Sequence, residues 1–297
     1  MISIIICARN NDITPILREN IGQTIGIEYE IIVIDNSYNQ YNIFQAYNIG
    51  VQQSRFPYLL FMHDDIFYHT DNWGEKVSAY FKNDKVGGVG IAGTPYIPFN
   101  PGSWWSAGIG YLYILQSDDD KSPPVLQERY NNYSSTREAV ALDGVWFCIR
   151  KKLFDIIRFD EDTYNGFHLY DVDISLQVYK TGHSLICIKD VLIHHQSIGV
   201  LNSNWLEAMH AFYFKWKKEL PVSCIQFTIK EQAVIEYWVV TTFISDQLRI
   251  KGFDRKTKRK IFLSALKGIL LFKKGLLYYK TPFWALQIAL KYIKTFF

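Results

Sequence analysis

The chain has 297 residues, of which 48% are hydrophobic and 21% charged, a balance that allows a substantial core and excludes a largely disordered protein. Its net charge of +3 is unevenly distributed, because residues 251–297 carry 12 Lys and Arg against one acid, for a net +11, which leaves −8 elsewhere. Four cysteines lie far apart without a C-x-x-C pair, which argues against a structural zinc site or a disulfide framework.

Three short apolar runs of strand length occupy the first 62 residues, with segments of helical length between them. The runs are Ser3–Cys7, Glu30–Asp35 and Tyr58–Met62. Strand, helix and strand in succession predict parallel pairing and a doubly wound α/β sheet. Because such sheets bind ligands at the carboxyl ends of their strands, Arg9, Asp35 and the pair Asp64-Asp65 are predicted to meet at one site.

The rest of the chain continues the pattern to about residue 200 and then changes. Further strands are predicted at Val86–Ile91, Leu142–Ile149, Ser184–Ile188 and Val191–Ile193, helices at Phe44–Arg55 and Tyr170–Thr181, and loops at Ser117–Arg137 and Phe159–His168. From Leu201 the pattern is helical to the end. We therefore predict one α/β domain over 1–200 and a basic helical region over 201–297.

The pair Asp64-Asp65 is the strongest local signal for a site. Adjacent carboxylates repel each other and need a cation or several donors, and a hard divalent ion shared with a diphosphate meets that need. The alternative is a helix N-cap with a surface acid. Asp171 and Asp173 begin the later helix but cannot share one helical face, so one can act as a general base while the other caps the helix. Capping by both is the alternative.

Two histidines, His194 and His195, follow the last predicted strand. Imidazole is a suitable metal ligand beside a carboxylate. Because side chains alternate along a strand, only one of the two faces a cleft, and the sequence leaves open which one. A structural role is the alternative for either residue.

Eight segments resemble, in their order, the inverting family-2 glycosyltransferases, which have the GT-A fold. The segments are Ile4–Asn10, Ile31–Ser37, Ala46–Gly50, Tyr58–Asp65, Asp143-Gly144, Arg150, Phe159–Glu161 and Tyr170–Gly182. The resemblance covers about residues 1–200 and implies that this part is a nucleotide-sugar-binding and catalytic domain. It implies a Rossmann-like, mostly parallel sheet flanked by helices, with a C-terminal helical extension.

The resemblance also implies roles for particular residues. The donor nucleotide would lie against Cys7, Ala8, Arg9, Asp35, Asn48 and Asp64, with Asp35 on the nucleobase and Asp64 on the ribose. Asp65 would hold Mn²⁺ or Mg²⁺ against the diphosphate together with His194 or His195, and Asp171 would be the catalytic base. Two positions depart from the family pattern. His63 replaces the first acid of the D-x-D motif and Tyr170 replaces a glutamate, and whether His63 binds metal is open.

These features predict a cytoplasmic, metal-dependent, inverting glycosyltransferase. It would move a sugar from a nucleoside-diphosphate sugar, with a UDP-sugar favoured, to a saccharide or lipid-linked acceptor in bacterial surface polysaccharide synthesis. A non-catalytic glycan-binding or scaffold protein is one alternative, because His63 and Tyr170 depart from the pattern. A sugar-1-phosphate nucleotidyltransferase is the other, although Cys7–Asn11 contains no glycine to cradle a triphosphate.

Residues 255–297 combine apolar positions at helical spacing with lysines and aromatic residues. Cationic amphipathic helices of this kind lie on anionic membranes, so peripheral contact with the inner face of the cytoplasmic membrane is predicted. The alternatives are packing on the acidic remainder of the chain or on a second copy in a homodimer. The acidic residues at the predicted cleft argue against nucleic-acid binding.

Overall fold

A computed structural model describes residues 1–119, 121–129, 137–199 and 201–243, together with single helical positions at 256, 259, 263, 287 and 290. In chain order the elements up to residue 97 are β1 (Ile2–Ala8), α1 (Pro15–Thr24), β2 (Tyr29–Asp35), α2 (Ile43–Gln53), β3 (Tyr58–Met62), β4 (Ile66–Tyr68), α3 (Trp73–Tyr80), β5 (Val86–Gly90), β6 (Ala92–Thr94) and β7 (Tyr96–Ile97). They are followed by β8 (Tyr111–Gln116), β9 (Val125–Arg129), β10 (Glu138–Ala139), β11 (Ala141–Leu142), β12 (Trp146–Arg150), α4 (Tyr170–Lys180), β13 (Ser184–Cys187), β14 (Ile193–His195), α5 (Ser203–Trp216), β15 (Val222–Ser223) and α6 (Ile229–Thr242).

The described chain divides into two compact units. The first contains Met1–Pro95 and Gly110–Gly199, and the second contains Tyr96–Ile109 with the described residues after 200. The segment Tyr96–Ile109 thus groups with the later residues, whereas the domain prediction assigned it to 1–200. The division into separately folding domains stays a prediction.

The first unit contains a seven-stranded sheet in the order β10-β13-β5-β12-β3-β1-β2. The pairs β1-β2, β1-β3 and β5-β13 are parallel, while β12 runs antiparallel between β3 and β5. Ala8 lies opposite Asp35, so β1 and β2 end side by side. The predicted α/β class with a mostly parallel sheet is confirmed, and the carboxyl ends of three adjacent strands form one edge.

Local sequence explains where the early helices begin. The Thr14 side chain accepts a hydrogen bond from the Leu17 backbone amide, and Pro15 occupies the first turn of α1. Asn42 and Gln45 form a capping box at the start of α2. Along β1, five of seven residues are fully or almost fully buried apolar side chains, as expected for a strand covered on both faces.

A second sheet in the first unit has the order β11-β6-β8-β14-β4, with β9 paired to β8. Strand β14 is antiparallel to β4 and parallel to β8, which places His195 opposite both Ile66 and Gln116. This sheet therefore brings together residues from three distant parts of the sequence. They lie beside the chain that leaves β3.

Two predicted elements differ from the structure. The strand predicted over Leu142–Ile149 is divided into β11 and β12, because the Asp143 carboxylate accepts a hydrogen bond from the Val145 amide and makes a turn. The polar segment predicted as a loop contains β9, whose five residues are exposed and pair with β8 at its edge. Cross-strand hydrogen bonding, rather than an apolar pattern, makes β9 a strand.

The second unit contains α5, α6 and the antiparallel pair β7-β15. Glu236 on α6 is buried, and its carboxylate accepts hydrogen bonds from the Tyr96 hydroxyl (2.6 Å), the Phe99 amide (2.7 Å) and the Asn100 side chain (2.8 Å). Of the helices in the described ranges, none has the length and apolar character that crossing a membrane requires. The amphipathic helices and membrane contact predicted for 255–297 lie outside the described residues, except at its single described positions.

Candidate active site

Three side chains converge where β3 and β14 end. His63 and Asp65 follow β3, and His195 is the last residue of β14. His63 Nδ1 lies 3.3 Å from His195 Nε2 and 3.7 Å from Asp65 Oδ1. His195 Nε2 lies 3.5 Å from Asp65 Oδ1. The three atoms form a nearly equilateral triangle, and we call these residues the His63–Asp65–His195 cluster.

Each member of the cluster is held on its outer side by another residue. The Ser197 hydroxyl donates to Asp65 Oδ2 at 2.6 Å. Gln116 Oε1 lies 3.1 Å from His195 Nδ1, and the Tyr170 hydroxyl lies 3.2 Å from His63 Nε2. The inner atom of each cluster residue is thereby left for the centre of the triangle.

The outer contacts fix which nitrogen of His195 carries its proton. Gln116 Nε2 donates to the backbone carbonyls of Ser117, His195 and Ser197, which orients the amide so that Oε1 faces His195. Because that oxygen can only accept, His195 must donate from Nδ1. Nε2 of His195 then presents a lone pair to His63 and Asp65.

The same reasoning applies to His63. The Tyr170 hydroxyl donates to the Gly144 carbonyl at 3.1 Å. A hydroxyl has one proton, so His63 Nε2 must donate to the Tyr170 oxygen, and His63 Nδ1 presents a lone pair. Three electron-pair donors thus face one another with no proton between them, and a cation would relieve that repulsion.

The environment of Asp65 also fits a cation. Its Oδ1 is buried and lacks a hydrogen-bond partner among the described residues. Burial alone would raise the pKa of Asp65, but the hydrogen bond that the Ser197 hydroxyl donates favours the ionised carboxylate, and the pKa lies below its usual range. Burial, followed by His195, lowers the pKa of His63. An ionised carboxylate and two neutral imidazoles are the forms that bind metal.

The spacing of the cluster also matches metal coordination. A cation about 2.1 Å from two ligand atoms holds them about 3.4 Å apart at a tetrahedral angle. The observed separations of 3.3, 3.5 and 3.7 Å scatter around that value. The residues present therefore fit a divalent cation without rearrangement.

The residues predicted to bind the donor follow β1, β2 and β3. The Arg9 backbone amide donates to Asp64 Oδ2 at 3.2 Å, and the exposed Arg9 guanidinium lies 3.9 Å from Asp65 Oδ2. Asp35 accepts a hydrogen bond from the Ser37 amide, which lowers the pKa of Asp35 and keeps its carboxylate ionised. Arg9, Asp64 and Asp65 are thus joined by contacts.

Cys7 and Ala8 form the end of β1 directly before these residues. Burial raises the pKa of the Cys7 thiol to about 11, so the thiol stays protonated at neutral pH. The carbonyl of Ala8 accepts a hydrogen bond from the Asn36 amide. A role for either residue in nucleotide binding stays a prediction.

Asp171 lies at the start of α4, beside the turn that follows β11. The Gly144 amide donates to Asp171 Oδ2 at 2.8 Å. Burial, followed by the charge of Asp143, raises the pKa of Asp171 to about 7. Tyr170, the preceding residue, contacts His63, which links Asp171 to the cluster through one neighbour. A carboxylate with this pKa can take up a proton near neutral pH.

Asp173 does not cap α4 as expected. Its side chain is buried and accepts hydrogen bonds from the Tyr164 hydroxyl (3.0 Å) and Gln177 Nε2 (2.8 Å). The fourth residue of a helix already has an intrahelical partner for its amide, so the carboxylate is free to hold the preceding loop. Asp173 is a structural residue here.

Two further predicted site residues have their contacts outside the cluster. His194 lies outside the cluster, because alternation along β14 turns it to the other side, where its Nε2 lies 2.8 Å from the Ser117 hydroxyl. Asn48 binds the backbone of Phe159 with both amide atoms, at 2.9 and 3.1 Å. That pair of contacts holds the loop before α4, and a role for Asn48 in nucleotide binding stays a prediction.

Sequence reasoning missed four residues of the site or left them open. No local signal marked Gln116 and Ser197, because they lie 79 and 132 residues from His195 and Asp65, which they contact. A sequence signal did mark His63 and Tyr170, because both depart from the family pattern. Only the structure shows that their side chains are in contact.

A family model described as a glycosyltransferase-like family matches residues 3–218, more than half of the chain. The chain belongs to the glycosyltransferase-like family. The predicted resemblance to family-2 glycosyltransferases is thereby confirmed.

Individual relatives of this glycosyltransferase-like protein are distant. The streptomycin biosynthesis protein StrF of Streptomyces griseus is 25% identical over 189 residues, which are 61% of this chain and 62% of StrF. The chain therefore matches less than two thirds of that relative.

Solved structures agree on the fold. S. aureus TarS 1-349 has a TM-score of 0.53 at 11% identity, covering 99% of this chain and 88% of that one. The same fragment in complex with UDP has a TM-score of 0.54 at 9% identity, with the same coverage. At this identity the likeness supports the GT-A fold alone.

Proposed function

We propose that this protein is a metal-dependent, inverting glycosyltransferase that moves a sugar from a nucleoside-diphosphate sugar to a hydroxyl of a saccharide or lipid-linked acceptor. The observation that carries the proposal is the His63–Asp65–His195 cluster, linked through Tyr170 to Asp171. The cluster suits a divalent cation, and Asp171 suits the role of proton acceptor. Transfer of a sugar from a diphosphate leaving group to a hydroxyl can use both.

Donor binding would use the ends of β1, β2 and β3. A divalent cation in the cluster would offset the negative charge that develops on the departing diphosphate. Arg9 has its exposed guanidinium 3.9 Å from Asp65, where it can bind the same diphosphate. Asp64 would hold the ribose and Asp35 the nucleobase. TarS, which shares this fold, has been solved in complex with UDP, and we propose uracil as the base bound here.

Catalysis on the acceptor side would use Asp171. A sugar hydroxyl is a weak nucleophile, and a positioned carboxylate that removes its proton contributes about 10²–10⁴-fold. The raised pKa of Asp171 makes the carboxylate a stronger base than an exposed aspartate. Attack by the acceptor hydroxyl from the side opposite the departing diphosphate would invert the anomeric carbon. We further propose that the acceptors belong to bacterial surface polysaccharide synthesis.

A binding assay tests the donor half of the proposal. Thermal unfolding is followed with UDP, GDP, ADP, CDP and dTDP, each with and without Mn²⁺. Stabilisation by one nucleotide that depends on Mn²⁺ is expected in the wild-type protein and is expected to disappear in Asp65→Asn. His194→Ala is the matched control, because His194 adjoins His195 but lies outside the cluster. An unaltered response in Asp65→Asn contradicts the proposed donor site.

The same assay and an analysis of the reaction products separate the two alternative functions. A non-catalytic scaffold protein on this fold gives no stabilisation with any nucleotide diphosphate. A nucleotidyltransferase releases pyrophosphate from a nucleoside triphosphate and a sugar 1-phosphate, whereas the proposed enzyme releases a nucleoside diphosphate. Analysis of the nucleotide products by chromatography distinguishes these two reactions.

A further inference from the structure

Phe167 is a large apolar residue that stays in contact with water beside the His63–Asp65–His195 cluster. It is 48% exposed, although its ring centroid lies 5.8 Å from that of His63 and 5.8 Å from that of Tyr170. Single exposed apolar residues are common on protein surfaces and by themselves need no explanation. Phe167 differs in bordering two residues of the candidate active site, so a molecule that enters the site can cover its exposed area.

The loop that carries Phe167 is held at several points. The Gly166 carbonyl accepts a hydrogen bond from the Ile43 amide at 3.1 Å. Leu169 has a φ of +67°, in the left-handed region that is unfavourable for a residue other than glycine. This turn separates the exposed Phe167 from Leu169 and Tyr170, which are both buried. Backbone strain of this kind persists only where the surrounding structure enforces it, and it is common at ligand sites.

The chemistry around the Phe167 ring matches a carbohydrate. The face of an aromatic ring carries partial negative charge and attracts the C–H groups that line one face of a pyranose. Asn165 is exposed and His168 is half-buried, and these residues offer polar groups on either side of Phe167 in the chain. Such groups suit the hydroxyls at the rim of a sugar ring. A purely apolar ligand would not use them.

The position of Phe167 favours the acceptor sugar over the donor. Phe167 precedes the proposed base, Asp171, by four residues, and its ring packs against Tyr170, which adjoins that base. A base must come within hydrogen-bonding distance of the hydroxyl that it deprotonates. The proposed reaction therefore brings the acceptor sugar to this loop, whereas the donor nucleotide is proposed to lie at the ends of β1, β2 and β3.

We propose that Phe167 determines acceptor specificity, because its exposed ring packs against the C–H face of the acceptor pyranose while that sugar presents a hydroxyl to Asp171. The inference rests on the glycosyltransferase function proposed above. It goes further in naming a residue that binds the acceptor and the part of the acceptor that is recognised. Because Phe167 exchanges no proton with the substrate, its loss should weaken acceptor binding more than it slows the transfer step.

Saturation-transfer NMR tests the contact directly. The full chain, saturated with UDP and Mg²⁺, is mixed with the methyl pyranosides of glucose, galactose, mannose, rhamnose and N-acetylglucosamine. Irradiation of the aromatic protons should transfer saturation to the ring C–H protons of at least one sugar. Phe167→Ala should lose that transfer, and Phe167→Trp should keep it. Phe214→Ala in the second unit is the matched control, because Phe214 is 50% exposed and also packs against a histidine, His210, with centroids 4.6 Å apart.

Steady-state kinetics gives a second measurement. With a UDP-sugar as donor, the acceptor KM should rise about tenfold in Phe167→Ala, as expected for the loss of one aromatic contact, while kcat stays within about twofold. Phe167→Trp should restore the wild-type KM. Stabilisation by UDP with Mn²⁺ should be unchanged in every variant, which shows that each is folded and keeps its donor site.

The outcomes distinguish this inference from the proposed function. Equal acceptor affinity in the wild type and folded Phe167→Ala, no saturation transfer to any of the sugars, or a rise in the donor KM in place of the acceptor KM overturns the inference. Sugar binding that depends on Phe167, without any glycosyl transfer, leaves the inference standing and overturns the proposed function.

Discussion

Two carboxylates of the site have their pKa values moved in opposite directions. The hydrogen bond from the Ser197 hydroxyl favours the ionised form of Asp65, whose pKa is lowered despite burial, while burial and the charge of Asp143 raise the pKa of Asp171. Asp65 thus stays ionised at neutral pH, whereas Asp171 exchanges a proton near neutral pH. Such a separation is typical of a site that divides electrostatic and acid–base work between two acids.

The raised pKa of Asp171 predicts a pH dependence. A general base acts when deprotonated, so kcat/KM should rise about tenfold per pH unit below pH 7 and level off above it. Asp171→Asn should lower kcat about 10²–10⁴-fold and remove that inflection. The measurement is a pH–rate profile at saturating metal. Asp162→Asn, an exposed acid paired with Arg158, is the control, and an inflection that persists in Asp171→Asn excludes this role.

At the scale of elements, local signals identified the strands and helices that carry the site. The strand predicted over Tyr58–Met62 has those bounds in the structure, and the helix beginning at Tyr170 ends one residue earlier than predicted. Prediction was wrong where an element depends on a partner distant in sequence. Strand β9 forms because it pairs with β8, although its own residues are exposed.

A contact between α6 and the segment after β7 gives a prediction for stability. Glu236→Ala would remove the carboxylate that accepts from the Tyr96 hydroxyl and from the Phe99 and Asn100 amides. Each buried donor left unsatisfied costs about 1–3 kcal/mol, so the free energy of unfolding should fall by about 3 kcal/mol or more in urea titrations. Glu231→Ala on the same helix is the control.

The control variant, Glu231→Ala, removes an exposed carboxylate that caps the helix. Glu231 is exposed and accepts from Thr228 in a capping box, so its loss should cost about 1 kcal/mol or less. Equal losses in the two variants would show that burial of Glu236 contributes nothing to the stability of this unit.

For the whole molecule, the most unusual feature is the separation of charge along the chain. Residues 251–297 have a net charge of +11, and the remainder has −8. Among the described positions of this segment, Lys256 and Arg259 are exposed and helical. A basic segment with apolar and aromatic residues suits an anionic lipid surface, and we propose that it brings the enzyme to a lipid-linked acceptor.

Vesicle co-sedimentation tests this proposal. The full chain should bind vesicles containing anionic lipid, bind neutral vesicles weakly, and be released by salt. Because each basic residue near such a surface contributes about 1 kcal/mol, Lys256→Glu with Arg259→Glu should weaken binding at least about 30-fold. The same double charge reversal at Lys76 and Lys82, which are exposed in the first unit, should have a smaller effect. Equal effects would mean that only net charge matters.

The sequence alone was sufficient for the fold class, the order of the principal strands, and the positions of Asp65 and Asp171 at the ends of their elements. Those features follow from hydrophobic periodicity and from short motifs, which are local properties of the chain. The tertiary structure decided that His195 and not His194 belongs to the cluster, that Asn48 supports a loop, and that His63 meets Tyr170. These outcomes depend on which side chains sheet pairing brings together across 79 to 132 residues, and no local pattern encodes such contacts.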